Sequence, residues 1–311
     1  MFLTVCPNTA LDKILFIDEW IAGTPMRTDR IVNCVGGKGL NSAVVLSHLG
    51  VETVSIAFFA GKIGKELVEI VEEYGITVDA VWAGGTTRVA HVIADKKRNE
   101  HSHVIAGKTM VNDAQKAEFV SIFKKRIHDA DYVIFAGSIP PSMNQDFYNE
   151  LIAIAKGAGV PTLVDAQKEV MQEAIKAKPG IVKMNWEEFR WTFDQRSTTI
   201  EDLVKEATAF YSEKELDNLV ITMSKEGILA VTREGIFLAK APLQKPVNAA
   251  GAGDAVSSTL AFRLSKGDDW LTAMHWASAV SAASVLTERT GDVNLDDVEK
   301  IRPLVTVEKI G

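Results

Sequence analysis

The 311-residue chain is 47% hydrophobic and 24% charged and has no low-complexity tract, which is the composition of a globular protein with a sizeable core. A formal charge of -7 argues against a nucleic-acid partner, because phosphate-backbone affinity needs a basic face. No apolar stretch approaches the ~20 residues that span a bilayer, and no basic segment precedes a long apolar run in MFLTVCPNTALDK, so no membrane role and a cytoplasmic location are expected.

In chain order, FLTVC reads as a first strand, and residues 11 to 35 then read as hairpin-like strands with charged turns. The stretch VGGKGLNSAVVLSHLG follows: Gly36, Gly37 and Gly39 lead into a helix whose Ala43, Val44, Leu46 and Leu49 face the core, and Gly50 closes it. TVSIAFFAG is a strand and GKELVEIVEEYG a helix; residues 86 to 105 form a second hairpin-like segment. There His91, His101 and His103 alternate with Val92 and Val104 as outward strand positions rather than as a metal site. QKAEFVSIFKKRIHDA has helical spacing, and DYVIFAGS, VPTLVDA, GIVKMN and NLVITMS read as strands. Near the end, Val256, Leu260 and Leu264 recur every four residues and Gly267 closes the run, predicting a helix from about 253 to 266. Cys6 and Cys34 form no disulfide framework and are expected as buried small residues.

Strands alternating with amphipathic runs predict an α/β fold, a mostly parallel sheet with helices on both faces. Segments 11 to 35 and 86 to 105 break the alternation and are expected to form a small antiparallel sheet beside it, a discontinuous lid. With no linker and no repeat, residues 1 to 311 are expected to be one domain. Ligands of such sheets bind beyond the carboxyl ends of the strands, here Pro7-Asn8, Gly137-Ser138, Asp165, Asn185 and Ser224.

Two glycine-rich elements carry candidate chemistry. In VNAAGAGDAVSS, Asp254 falls in the first helical turn, where an acidic residue is favoured by the macrodipole alone. The alternative is chemical: Gly251 and Gly253 let backbone N-H groups approach a transferring phosphoryl group, and Asp254 takes a proton from an attacking hydroxyl. In GGKGLN, a turn able to cradle an anion, Lys38 stands inside the glycines, so this is not the GxxxxGK[ST] phosphate loop; the order G-x-G-x-x-G of dinucleotide enzymes is absent too. Asn41 lies on the first turn of that helix, where it can hydrogen-bond a polyol.

GGKGLN and GAGDA, about 215 residues apart, together with PNTALDK, TTR, FAGSIPPS, VKMNWEEF and ITMSKEGILAV, make the chain resemble the phosphofructokinase B family of sugar kinases, relatives of ribokinase. PNTALDK, TTR and GSIPPS are similar to the branch acting on phosphorylated ketohexoses. The resemblance implies a ribokinase-like three-layer α/β/α fold with a protruding β lid, ATP as phosphoryl donor, and Mg²⁺. It implies Asp254 as catalytic base and Gly251, Ala252 and Gly253 as anion hole. Asp12, Gly37, Lys38 and Asn41 would line the sugar pocket, with Arg88, Ser138 and Arg27 suited to the sugar phosphate. Asn185 and Glu188 would hold Mg²⁺ through water, Lys183 would reach the ATP phosphates, and Thr222, Ser224 and Gly227 would form the nucleotide turn.

Departures from the family pattern cluster on the donor side: Met184 for a proline, Ala249 where a threonine is usual, Ser224 for a glycine, and DAQKE at 165 to 169 for an Asp-x-Ser-Gly element. They bear on nucleotide preference and on whether K⁺ is a further cofactor. Apolar lid positions Ile14, Phe16, Ile31 and Val92 point to a homodimer through the lid. Two rival functions remain at this stage, a kinase of an unphosphorylated sugar or nucleoside and a non-catalytic sugar-phosphate sensor.

Overall fold

Runs of β-branched and aromatic residues bounded by glycine, proline and polar residues fold as strands. The computed structural model of the protein describes residues 1 to 98 and 100 to 311, and the main chain alone at Glu100 and His101. The first half holds β1 (Phe2–Cys6), β2 (Ala10–Ile17), β3 (Ile31–Gly36), β4 (Thr53–Phe59), β5 (Thr77–Trp82), β6 (Gly84–Gly85), β7 (Arg88–Asp95), β8 (Glu100–Ala106) and β9 (Thr109–Met110). In the second half are β10 (Tyr132–Ala136), β11 (Thr162–Asp165), β12 (Ile181–Asn185), β13 (Asn218–Thr222), β14 (Ile228–Thr232), β15 (Gly235–Lys240) and β16 (Thr306–Lys309).

Ten of these strands make one sheet in the order β16-β15-β14-β13-β12-β11-β10-β1-β4-β5. It is parallel from β13 to β5, and antiparallel from β13 to β16. The run YVIFA explains why a parallel strand has no polar side. Val133 and Phe135 enter a core with Phe119, Phe123 and Tyr148, while Ile134 and Ala136 enter another with Leu260, Trp270 and Met274 on the opposite face. Helices cover both faces, giving the three-layer α/β/α arrangement that the alternation implies.

From β1 the chain runs outward to β4 and β5 on one side, then returns to β10 on the other. The strand order therefore reverses between β1 and β10, which opens a crevice beyond Cys6 and Ala136.

Over that crevice stands the small sheet, ordered β3-β2-β7-β8. Its hairpins β2-β3 and β7-β8 are antiparallel, as expected, and a parallel pairing of β2 with β7, from Ala10 opposite Arg88 to Ile17 opposite Asp95, joins them. Adjacency of two segments so distant in sequence is invisible to local patterning. The lid has its own core of Ile14, Cys34, Val92 and Ala94. Ile14 and Val92, expected to be half exposed, are only 2% and 4% exposed because the lateral β2-β7 pairing packs them together with Cys34 and Ala94; the apolar side chains left open on the lid are Trp20, Ile21, Ile31, Val104 and Ile105. Both cysteines are buried and free. Among the described residues, no helix is long and apolar enough to cross a membrane.

Candidate active site

Two helices aim their N-termini into the crevice. One, Lys38–His48, starts after Gly37; the other, Ala252–Ser265, starts after Gly251, whose φ of 84° places it in the left-handed region where only glycine is free of strain. Together with the lid and the ends of β10 to β14 they enclose a cleft of roughly 1270 Å³.

Asp254 lies on the first turn of the second helix, 5% exposed, and its Oδ2 accepts a 2.8 Å hydrogen bond from Asn41 Nδ2. Ser258, one turn on, donates to the backbone carbonyls of Ser42 (3.0 Å) and Asp254 (2.8 Å), tying the two helices in the register that makes the pair possible. Asn41 lines the cleft, and its Oδ1 is buried with no partner among the described residues, a vacant acceptor beside the base. Burial and then the negative charge of Asp165 push the Asp254 carboxyl up to about 7, against the pull of Lys38, Lys183 and Asn41. A carboxylate in that range is a competent proton acceptor near neutral pH.

Asp165, the last residue of β11, is fully buried and anchors the cations of the site. Its Oδ1 meets Lys38 Nζ at 2.7 Å; its Oδ2 meets Lys183 Nζ at 2.7 Å and Ser257 Oγ at 2.9 Å. The two ammonium groups outweigh burial and hold Asp165 down to about 2. Lys38, expected in the sugar pocket, does line the cleft, but its ammonium also pairs with Glu188 Oε1 at 2.8 Å. Lys183 reaches the mouth of the Ala252–Ser265 helix: a Cβ added at Gly253 would stand 2.7 Å from its Nζ. The amides after Gly251 and this ammonium thus form one positive cradle.

Asn185 and Glu188 form a capping box on the helix Trp186–Phe193: Asn185 Oδ1 accepts from the Glu188 amide (2.7 Å) and Glu188 Oε2 from the Asn185 amide (2.9 Å). Glu188 is buried. Each Glu188 oxygen has one donor and a lone pair to spare, and Asn185 lines the cleft. This donor set fits the waters of a hydrated Mg²⁺ better than direct ligation. Among the described residues, no three His, Cys, Asp or Glu side chains are grouped to hold a metal ion by themselves.

Opposite the cradle, Asp12 sits on β2 and lines the cleft, as the resemblance implies. Its carboxylate occupies the space that a Cβ at Gly36 would fill, and burial, opposed by Arg88 and reinforced by Asp254, pushes it up to about 7. Arg88 is fixed by donating to the carbonyls of Asn8 and Thr9, and Asn8 Nδ2 donates to Ser138 Oγ at 3.0 Å. Arg27 is exposed and is not part of the cleft wall. On the far side, Thr222, Ser224 and Gly227 line a turn in which Ser224 has φ 53°. That left-handed conformation is the physical reason a glycine suits this position.

Asp165, Asn8, Ser257 and His103 belong to this constellation without having been given a role from sequence. Asp165 did carry a signal, as the one charged residue closing a strand buried throughout. His103, expected to face outward on the lid, is exposed and lines the cleft, while the side chain of His101 lies outside the described residues.

Residues 8 to 297 match the model of the pfkB family carbohydrate kinases. The chain belongs to that family. This kinase is 24% identical over the full length of both chains to a tagatose-6-phosphate kinase of Staphylococcus epidermidis, and 24% identical, again over both full lengths, to a 1-phosphofructokinase of Bacillus subtilis. A solved structure described as a possible 1-phosphofructokinase from Thermotoga maritima superposes over 100% of both chains with a TM-score of 0.89 at 27% identity. The kinase is a phosphotransferase whose acceptor is an alcohol group.

Proposed function

We propose that the kinase transfers the γ-phosphoryl group of ATP to a hydroxymethyl oxygen of a phosphorylated ketohexose of the fructose 1-phosphate, fructose 6-phosphate or tagatose 6-phosphate type. The observation that carries this reading is the placement of Asp254 between a vacant acceptor on Asn41 and a positive cradle of helix amides and Lys183. The acceptor hydroxyl, oriented by Asp12 and Asn41, gives its proton to Asp254; its oxygen forms the new bond to the γ-phosphorus as the bond to the β-phosphate oxygen breaks, and ADP leaves. Charge on the equatorial oxygens of the loose transition state falls on the amides of Gly251, Ala252 and Gly253 and on Lys183. Mg²⁺, its waters held by Asn185 and Glu188, would neutralise charge on the donor phosphates. Arg88, immobilised on two carbonyls, offers its guanidinium fork to the phosphate the acceptor already carries, with Ser138 beside it.

The names of the relatives support a phosphorylated acceptor. We further propose that the whole chain acts as one domain in the cytoplasm, that the lid closes over the acceptor, and that the open apolar residues Ile31 and Val104 pair two lids in a homodimer.

A coupled ADP-release assay across free and phosphorylated ketohexoses tests the reading. Turnover confined to one or more phosphorylated ketohexoses is expected. Equal turnover of a free sugar would assign an unphosphorylated acceptor, and tight sugar-phosphate binding without measurable ATP-Mg²⁺ binding in calorimetry would make the protein a sensor.

A further inference from the structure

The machinery proposed above leaves one buried charge without a task. Asp165 does not itself line the cleft, yet it holds two lysines that do and that flank Asp254. Three donors hold it, and the third, Ser257, lies on the same helix as Asp254, three residues on, fully buried. Ser257 also reaches the Gly253 carbonyl at 3.2 Å, so one hydroxyl links the carboxylate of β11 to the first turn of the helix that carries Asp254. A buried carboxylate with two lysines is costly unless paired, and here both oxygens of Asp165 carry an ammonium.

We infer that Asp165, held by Ser257, is a positioning residue for phosphoryl transfer: it fixes Lys38 and Lys183 on either side of Asp254 and sets the electrostatic field in which Asp254 takes its proton. Every charged or titratable group facing Asp254 enters that field. Lys38 comes from the Gly-rich helix, Lys183 from β12 and Asp165 from β11; Asp12 comes from β2 and Cys6 from β1. The lysines favour the ionised base and Asp165 opposes it, so Asp165 both retains the cations and keeps Asp254 basic enough to act near neutrality. Without Asp165, the lysines would turn to Asp254 and to the phosphates and leave a weaker base in a looser cradle.

This inference rests on Asp254 being the base, and its test keeps the two ideas apart. The pH profile of kcat/KM is recorded for the wild-type kinase, Asp165→Asn, Ser257→Ala and Asp254→Asn with the phosphorylated ketohexose that turns over best. Expected are a fall of about 100-fold in kcat for Asp165→Asn from misplaced lysines, and an acid limb displaced about one pH unit downward, because the opposing negative charge is gone. Ser257→Ala leaves the Asp165 charge less screened and moves the limb upward by a smaller amount. An acid limb that stays in place in folded Asp165→Asn, whatever happens to kcat, overturns the inference. If circular dichroism shows that this variant does not fold, Ser257→Ala decides alone, and an unmoved or lowered limb overturns it. Asp254→Asn with near-wild-type activity would instead remove the base itself.

Discussion

Asn41 and Asp254 are 213 residues apart in the chain and 2.8 Å apart in the fold, and the hydrogen bond between them uses the amide end of Asn41, leaving its carbonyl oxygen buried without a partner among the described residues. One side chain therefore orients the base and holds a vacant acceptor beside it.

Replacement of Asp254 by Asn removes the proton acceptor but preserves the shape and the contact with Asn41. Turnover is expected to fall by roughly 10² to 10⁴, with sugar-phosphate affinity little changed. Steady-state kinetics beside calorimetric titration of the sugar phosphate checks both halves.

The same substitution is expected to raise stability, and only at high pH. Asp254 has a folded pKa of about 7 against an ordinary value of 3.8, so between those limits the native state holds a proton the unfolded chain has released. Wild-type stability from this group is full below pH 4 and is lost as pH rises through 7; Asn carries no such dependence. Thermal melts should place Asp254→Asn above wild type at pH 8, by an amount on the order of a few kcal/mol, with the gap closing toward pH 4. A gap independent of pH would mean that Asp254 is not held in its proton-binding state by the fold.

Arg88→Ala is expected to raise the KM for a phosphorylated acceptor by roughly 10- to 100-fold, the worth of a charge-assisted contact. The KM for ATP should hardly move. Arg88→Lys should recover little, because an ammonium cannot both bond to the Asn8 and Thr9 carbonyls and present a planar fork.

Ser224 occupies a left-handed backbone position at φ 53° on the donor side. Ser224→Gly relieves about 1 kcal/mol of strain, partly offset by the freer unfolded chain, so a small gain in Tm with ATP use retained is expected. Ser224→Val, β-branched in the same conformation, should lower Tm. Equal melting of the three proteins would remove the strain argument.

The sheet, the lid segments and the two glycine-led helices were legible because each rests on local pattern: alternation, periodicity, and glycine at a helix start. Asp254, Asn41 and Lys183 were legible through motif resemblance, and the fold brings them together. What escaped is long-range. The parallel β2-β7 pairing joins residues nearly eighty positions apart, which is why Ile14 and Val92 are buried and not open for a partner. Asp165 was named as a strand-end position, but its task escaped because its partners Lys38 and Ser257 lie 127 and 92 residues away; Arg27, expected near the phosphate, is exposed and off the cleft wall.

Four crossings tether the lid to the body, and each is short: residues 7 to 9, residue 37, residues 86 to 87 and residues 107 to 108. Asn8 lies on the first, Gly37 on the second, and Arg88 follows the third. An inserted residue at any of them would tear the acceptor site apart, whereas the hairpin tips can lengthen freely. Diversification within such a scaffold is thus channelled outward, into the rim that meets other molecules, while the grip on the phosphorylated alcohol is locked to the frame.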